Sequence, residues 1–149
     1  MEIKNPISDL HWLLGSWQGK LENESGEKLE SLINFQLFGK DIISYEKKVK
    51  IHSSNDILEK GFFFFDKINE ILKHIIINEE GYIELGSIEI KSKKNCDAIT
   101  SKFEQGYNLP PNSIIIRKMS YDTSIKELEL ETRIGKSEKI FSYSSYQKK

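Results

Sequence analysis

From Ser16 to Tyr146 the apolar residues recur at close to every second position, in short segments separated by turn residues. That period places alternate side chains on opposite faces of an extended chain, and it does not fit the rhythm of an amphipathic helix. Leu29, Ile33, Phe35 and Leu37 alternate with Glu30, Asn34 and Gln36, a pattern broken at Ser31 and Leu32. Beyond Gly39-Lys40-Asp41, the residues Ile43, Tyr45, Val49 and Ile51 share one face against Ser44, Glu46, Lys48 and Lys50. Two such ladders joined by a tight turn predict a hairpin.

The same pattern runs through Ile57 to Phe65, Glu70 to Asn78, Tyr82 to Lys91, Asp97 to Glu104, Ser113 to Tyr121, Lys126 to Ile134 and Glu138 to Tyr146. The separators are turn-like: Ser53-Ser54-Asn55, Asp66 to Asn69, Glu79-Glu80-Gly81, Asp122-Thr123-Ser124 and Gly135-Lys136-Ser137. Only Gln105 to Asn112 is longer, and it reads as a plain crossing loop, with a lid over a barrel mouth as the alternative. No helical segment lies between strands, which argues against a parallel sheet of βαβ units. Ahead of the strands, Ser8 or Asp9 can cap a helical turn through Leu14 that Gly15 ends. The expected fold is all-β: an antiparallel up-and-down barrel of about ten strands with a short N-terminal helical turn, one domain over residues 1–149. A two-sheet sandwich is the competitor, because alternation alone does not demonstrate closure.

Charge and composition narrow the function classes. Twenty-two basic residues balance twenty-three acidic ones, so nothing points to nucleic acid or an anionic membrane. Lys91, Lys93 and Lys94 form the densest basic cluster and read as solvated edge charges. The single Cys96 forms no internal disulfide. The longest apolar run, Phe62 to Phe65, is far too short to span a membrane, there is no signal peptide, and a cytoplasmic location is expected. No nucleophile elbow, phosphate loop or recognised Cys–His spacing occurs, and Asp9 and Glu79-Glu80 read as solvated acids. His11, His52 and His74 have no metal-ligand spacing. No catalytic or metal-binding residue is assigned.

The opening Trp12-Leu13-Leu14-Gly15-Ser16-Trp17-Gln18-Gly19 resembles the Leu-Leu-Gly-Thr-Trp-x-Gly start of the nitrobindin family, the fatty-acid-binding-protein-like branch of the calycins. Gly61-Phe62-Phe63, the apolar Ile71 to Ile77 and Gly81-Tyr82-Ile83-Glu84-Leu85-Gly86 are similar to later elements of that family. The resemblance covers residues 8 to 134 and implies a calycin-like barrel with a cavity, which in nitrobindins holds a b-type haem. It departs at the tail: nitrobindins ligate iron through a C-terminal histidine, and Lys139 to Tyr146 contains none. Tyr143 or Tyr146 would be the substitute phenolate.

Within such a barrel the candidate ligand-binding residues are Trp17, Phe35, Tyr45, Phe62, Phe64, His74, Arg117 and Tyr121. Trp17 reads as a plug at one barrel end. Phe62 through Phe65 place two rings on each face of one strand, and the outward pair needs cover from the N-terminal turn, a loop or a second subunit in a homodimer. His74 shares parity with Leu72 and Ile76, as a lining histidine, a hydrogen-bonded core histidine or a surface one. Arg117 shares a face with Ile115, Met119 and Tyr121; an inward guanidinium requires a partner, either a bound carboxylate beside Tyr121 or an internal acid, and the alternative is an outward-facing arginine. His11 and His52 read as surface residues, and Arg133 with Glu127, Glu129 and Glu131 as an outer charge ladder. The expected function is binding of a small hydrophobic or amphipathic, fatty-acid-like ligand. The alternatives are a haem protein acting on reactive nitrogen species and an interaction module with a filled barrel.

Overall fold

The computed structural model describes residues 6–22, 25–51, 54–108, 114–135 and 142–149. His52, Ser53, the Leu109 to Ser113 stretch and the Lys136 to Phe141 part of the tail, all discussed above, lie outside them. A 3-10 helix, Pro6–Leu13, precedes ten strands: β1 Gly15–Glu22, β2 Lys28–Phe38, β3 Ile42–Ile51, β4 Ser54–Asp66, β5 Ile71–Asn78, β6 Ile83–Lys93, β7 Cys96–Tyr107, β8 Ile115–Asp122, β9 Glu127–Ile134 and β10 Ser142–Lys148. Each strand pairs antiparallel with the next, and β10 returns to β1 through Trp17 opposite Lys148 and Gly19 opposite Tyr146. The barrel is closed, so the two-sheet sandwich is excluded and no strand keeps an unpaired edge.

The helix begins at Pro6, whose fixed φ and missing N–H suit a first helical position, rather than at Ser8 or Asp9. Ile7, Leu10 and Leu13 recur every three residues, which aligns them on one face of a three-residue turn, and all three are fully buried. They join Trp17, Phe63, Leu72, Ile99 and Leu128 in one apolar cluster, so the helix closes the barrel end where β1 begins. Trp17 is the expected plug: its indole N–H donates to the Leu13 carbonyl at 2.8 Å, satisfying a group the helix end leaves open. Tyr121 meets it edge-on at 5.2 Å and stacks on Trp12 at 5.8 Å. A Cβ on Gly19 would collide with the Ser145 carbonyl and the Tyr146 ring, which gives the second glycine of Gly-x-Trp-x-Gly its physical reason.

Two local expectations are corrected. β7 extends through Tyr107, so the connection to β8 is shorter than the irregular segment from Gln105 suggests. Ser31, read as a break in β2, keeps the inward parity with Ile33 and Phe35 and is buried. It accepts from the Tyr146 hydroxyl at 2.8 Å and donates to the Lys48 carbonyl at 3.0 Å. Among the described residues, no helix is long and apolar enough to cross a membrane.

Candidate functional site

The strand directions divide the barrel into a half closed by the helix and a mouth half where β1, β3, β5, β7 and β9 end. Trp17 and Tyr121 belong to the closed half, with Phe35 and Phe63 beneath them. Moving toward the mouth, polar groups enter the interior beside a second, smaller apolar cluster of Ile76, Phe103 and Ile115. His74 is fully buried on β5 between Leu72 and Ile76, with Phe63 at 4.3 Å and Phe103 at 5.1 Å between ring centroids. Its Nε2 is hydrogen-bonded to the Tyr45 hydroxyl at 2.7 Å, and its Nδ1 to the Ser101 hydroxyl at 2.8 Å. It is therefore a hydrogen-bonded core histidine. Gly61 makes room for Tyr45, because a Cβ there would run into the phenol ring.

Nearer the mouth, Arg117 on β8 finds its partner across the interior. Nε and Nη2 donate to the two Glu84 carboxylate oxygens at 3.2 and 2.8 Å, and Nη1 donates to Thr132 Oγ1 at 3.3 Å. The fork-to-fork geometry supplies the acid internally, so Arg117 does not need a bound carboxylate to justify its burial. Lys47 and Glu59 face each other in register on β3 and β4, and both line the small space shared with Tyr45, Arg117 and Thr132. That space measures about 20 Å³, room for one water molecule. The register irregularities of β3–β4 and β6–β7 fall beside Lys47 and Glu84, where bulges commonly re-aim side chains.

Electrostatics follow from burial. Desolvation holds His74 well below the ordinary histidine value, and Arg117 adds to the shift. Desolvation, then Glu59, pushes the Tyr45 phenol well above its usual range. Burial alone would lower Arg117, but Glu59 and Glu84 outweigh it and hold the guanidinium charged. The depressed His74 makes stability depend on acid. Below the unfolded value near 6.5, the unfolded chain binds a proton that the folded chain refuses. Stability should therefore fall as pH drops below about 6.5, with a slope approaching 1.4 kcal/mol per unit from this one group. Urea unfolding between pH 7 and pH 5 checks this, and a flat profile would contradict a neutral buried His74.

The predicted site residues thus separate. Tyr45, His74 and Arg117 come together in the mouth half, while Trp17, Phe35 and Tyr121 serve the closed half. Tyr121 is not beside Arg117: it lies four positions further along β8, about 13 Å away along the strand. Phe62 and Phe64 lie on the outer face, since Gly61, Phe63 and Phe65 take the inner parity of β4. Glu84, Ser101, Thr132, Lys47 and Glu59 were not singled out from sequence. The Glu84 on the Gly81 to Gly86 element carried the one available signal, an acid on a strand otherwise apolar at its start.

The described residues, which do not include His52, do not fit a haem. Both ring nitrogens of His74 are engaged, and Phe63 and Phe103 pack against its ring. Tyr146 gives its hydroxyl to Ser31, Tyr143 is exposed, and His11 is exposed on the helix. Among the described residues no cluster of metal-ligating side chains occurs.

No family model matches this chain, and no curated protein matches it in sequence. In three dimensions it is similar to the crystal structure of Rv2717c from M. tuberculosis, with a TM-score of 0.71 over 99% of both chains at 12% sequence identity. At that identity the likeness carries the fold, a calycin-like barrel.

Proposed function

We propose that the chain binds a small amphipathic molecule at the barrel mouth, its polar head over Tyr45, Arg117 and Glu84. Its apolar remainder lies against Ile76, Phe103 and Ile115. The observation that carries this reading is the set of polar groups, Tyr45, Arg117, Glu84 and Thr132, gathered among the described residues of the mouth half beside a small space. An ion pair inside a barrel is costlier than apolar side chains of the same volume, so a barrel selected only for stability would fill this half as it fills the other. No chemistry is assigned to the chain itself. The space as it stands holds about one water molecule, so a ligand enters only by displacing side chains at the mouth. A short or branched ligand displaces fewer than a long acyl chain, which would have to displace Phe35 and Phe63 as well.

Calorimetric titration with straight-chain alcohols and acids of four to ten carbons tests the proposal. Short members should bind saturably, and Tyr45→Phe should weaken them roughly two- to tenfold, the worth of one hydrogen bond. If none binds at millimolar concentration, the filled barrel acts as an interaction module instead.

A further inference from the structure

Besides the Arg117 network, two chains of hydroxyl and imidazole hydrogen bonds are found in the interior among the described residues, and they differ in one respect. In the first, Tyr146 donates to Ser31 and Ser31 donates to the Lys48 carbonyl. A carbonyl only accepts, so the protons of that chain point one way. In the second, Tyr45, His74 and Ser101 are joined by bonds of 2.7 and 2.8 Å, and among the described residues no carbonyl or carboxylate closes either end. A neutral imidazole carries its proton on one nitrogen and accepts at the other, so two arrangements satisfy both bonds. In one, Tyr45 donates to Nε2 and offers a lone pair toward the mouth. In the other, Nε2–H donates to Tyr45, and the phenol proton is free to point at the mouth.

We infer that Tyr45, His74 and Ser101 form a reversible relay that lets the mouth take neutral polar heads, hydroxyl, carbonyl or amide, whether they donate or accept. His74 is the positioning residue: it touches no ligand and sets which way Tyr45 points. The inference rests on the mouth being the binding site. The neutral preference comes from the charges around the space, which Lys47, Arg117, Lys118, Glu59 and Glu131 line, with Glu84 paired to Arg117 behind it. Three cations and three anions balance, and a charged head would leave one charge uncompensated in a partly desolvated place.

The test uses protein labelled with nitrogen-15 at histidine, observed near pH 7. Without ligand, both His74 ring nitrogens should show shifts averaged between protonated and unprotonated types. Ser101→Ala should move the ring to the Nε2–H form, because an orphaned N–H at Nδ1 is worse than an orphaned acceptor. Butyl methyl ketone, which only accepts, should move it the same way in the parent protein. A single fixed tautomer in the free protein, unmoved by Ser101→Ala, would overturn the relay. Should Ser101→Ala fail to fold, the parent spectrum alone decides. Averaged shifts that no added probe changes would leave the tautomers exchanging but overturn the mouth as the site, and with it the assignment of ligand. Hexanol and hexanamide should bind at least about tenfold tighter than hexanoate or hexylamine. The reverse order would overturn the neutral-head assignment.

Discussion

Trp17→Ala is expected to cost about 3–5 kcal/mol, the range for truncating a fully buried aromatic side chain. The ring fills the closed barrel end beneath Leu10 and Leu13, supports Tyr121, and donates to the helix through Leu13. Truncation empties that volume and frees the helix from β1 together, so little can collapse into the gap. Trp17→Phe separates the contributions: it keeps most of the packing and loses the hydrogen bond, about 1 kcal/mol. Urea unfolding of both variants checks the pair of values. A loss below about 1 kcal/mol for Trp17→Ala would contradict its role as a plug.

Glu84→Ala should cost about 3 kcal/mol, because it strands the Arg117 charge inside the barrel. The low end of the range for buried pairs applies here: Glu84 is only 4% exposed, but the arginine side chain is 24% exposed and keeps some contact with water. Combining Glu84→Leu with Arg117→Met should restore most of the loss, since apolar residues of similar volume need no partner. That recovery separates a stranded charge from damaged packing. If the double variant is no more stable than Glu84→Ala, the ion pair is not what Glu84 contributes.

The strands were legible from sequence because a strand with one face inward alternates, and the turn residues recur where alternation stops. Closure was not, because the strands of a sandwich alternate in the same way. Parity grouped Tyr45, His74 and Arg117 with apolar neighbours, and left an outward-facing reading open for His74 and Arg117. It failed where both parities look alike: in Phe62 to Phe65 each face carries two rings, and local sequence has no preference between them. The deciding residue is Gly61, which must face inward because Tyr45 occupies the space above it. Ser31, Ser101 and Glu84 were missed for a related reason. Each is polar at an inward position, and its justification is a partner on a distant strand: Tyr146, His74 and Arg117. The Arg117–Glu84 pair joins β8 to β6 across the interior, skipping β7, and no local spacing encodes such a contact.

On the proposed reading the two halves of the barrel have different jobs, a closed apolar half for stability and a mouth half for a ligand. Backbone and side-chain chemical shifts of uniformly labelled protein, followed during titration with hexanol, separate the two. Saturable changes are expected at Tyr45, His74, Arg117 and Thr132, with Trp17 and Tyr121 unmoved. Saturable changes centred on Trp17 and Tyr121, or none at any residue, would contradict that reading.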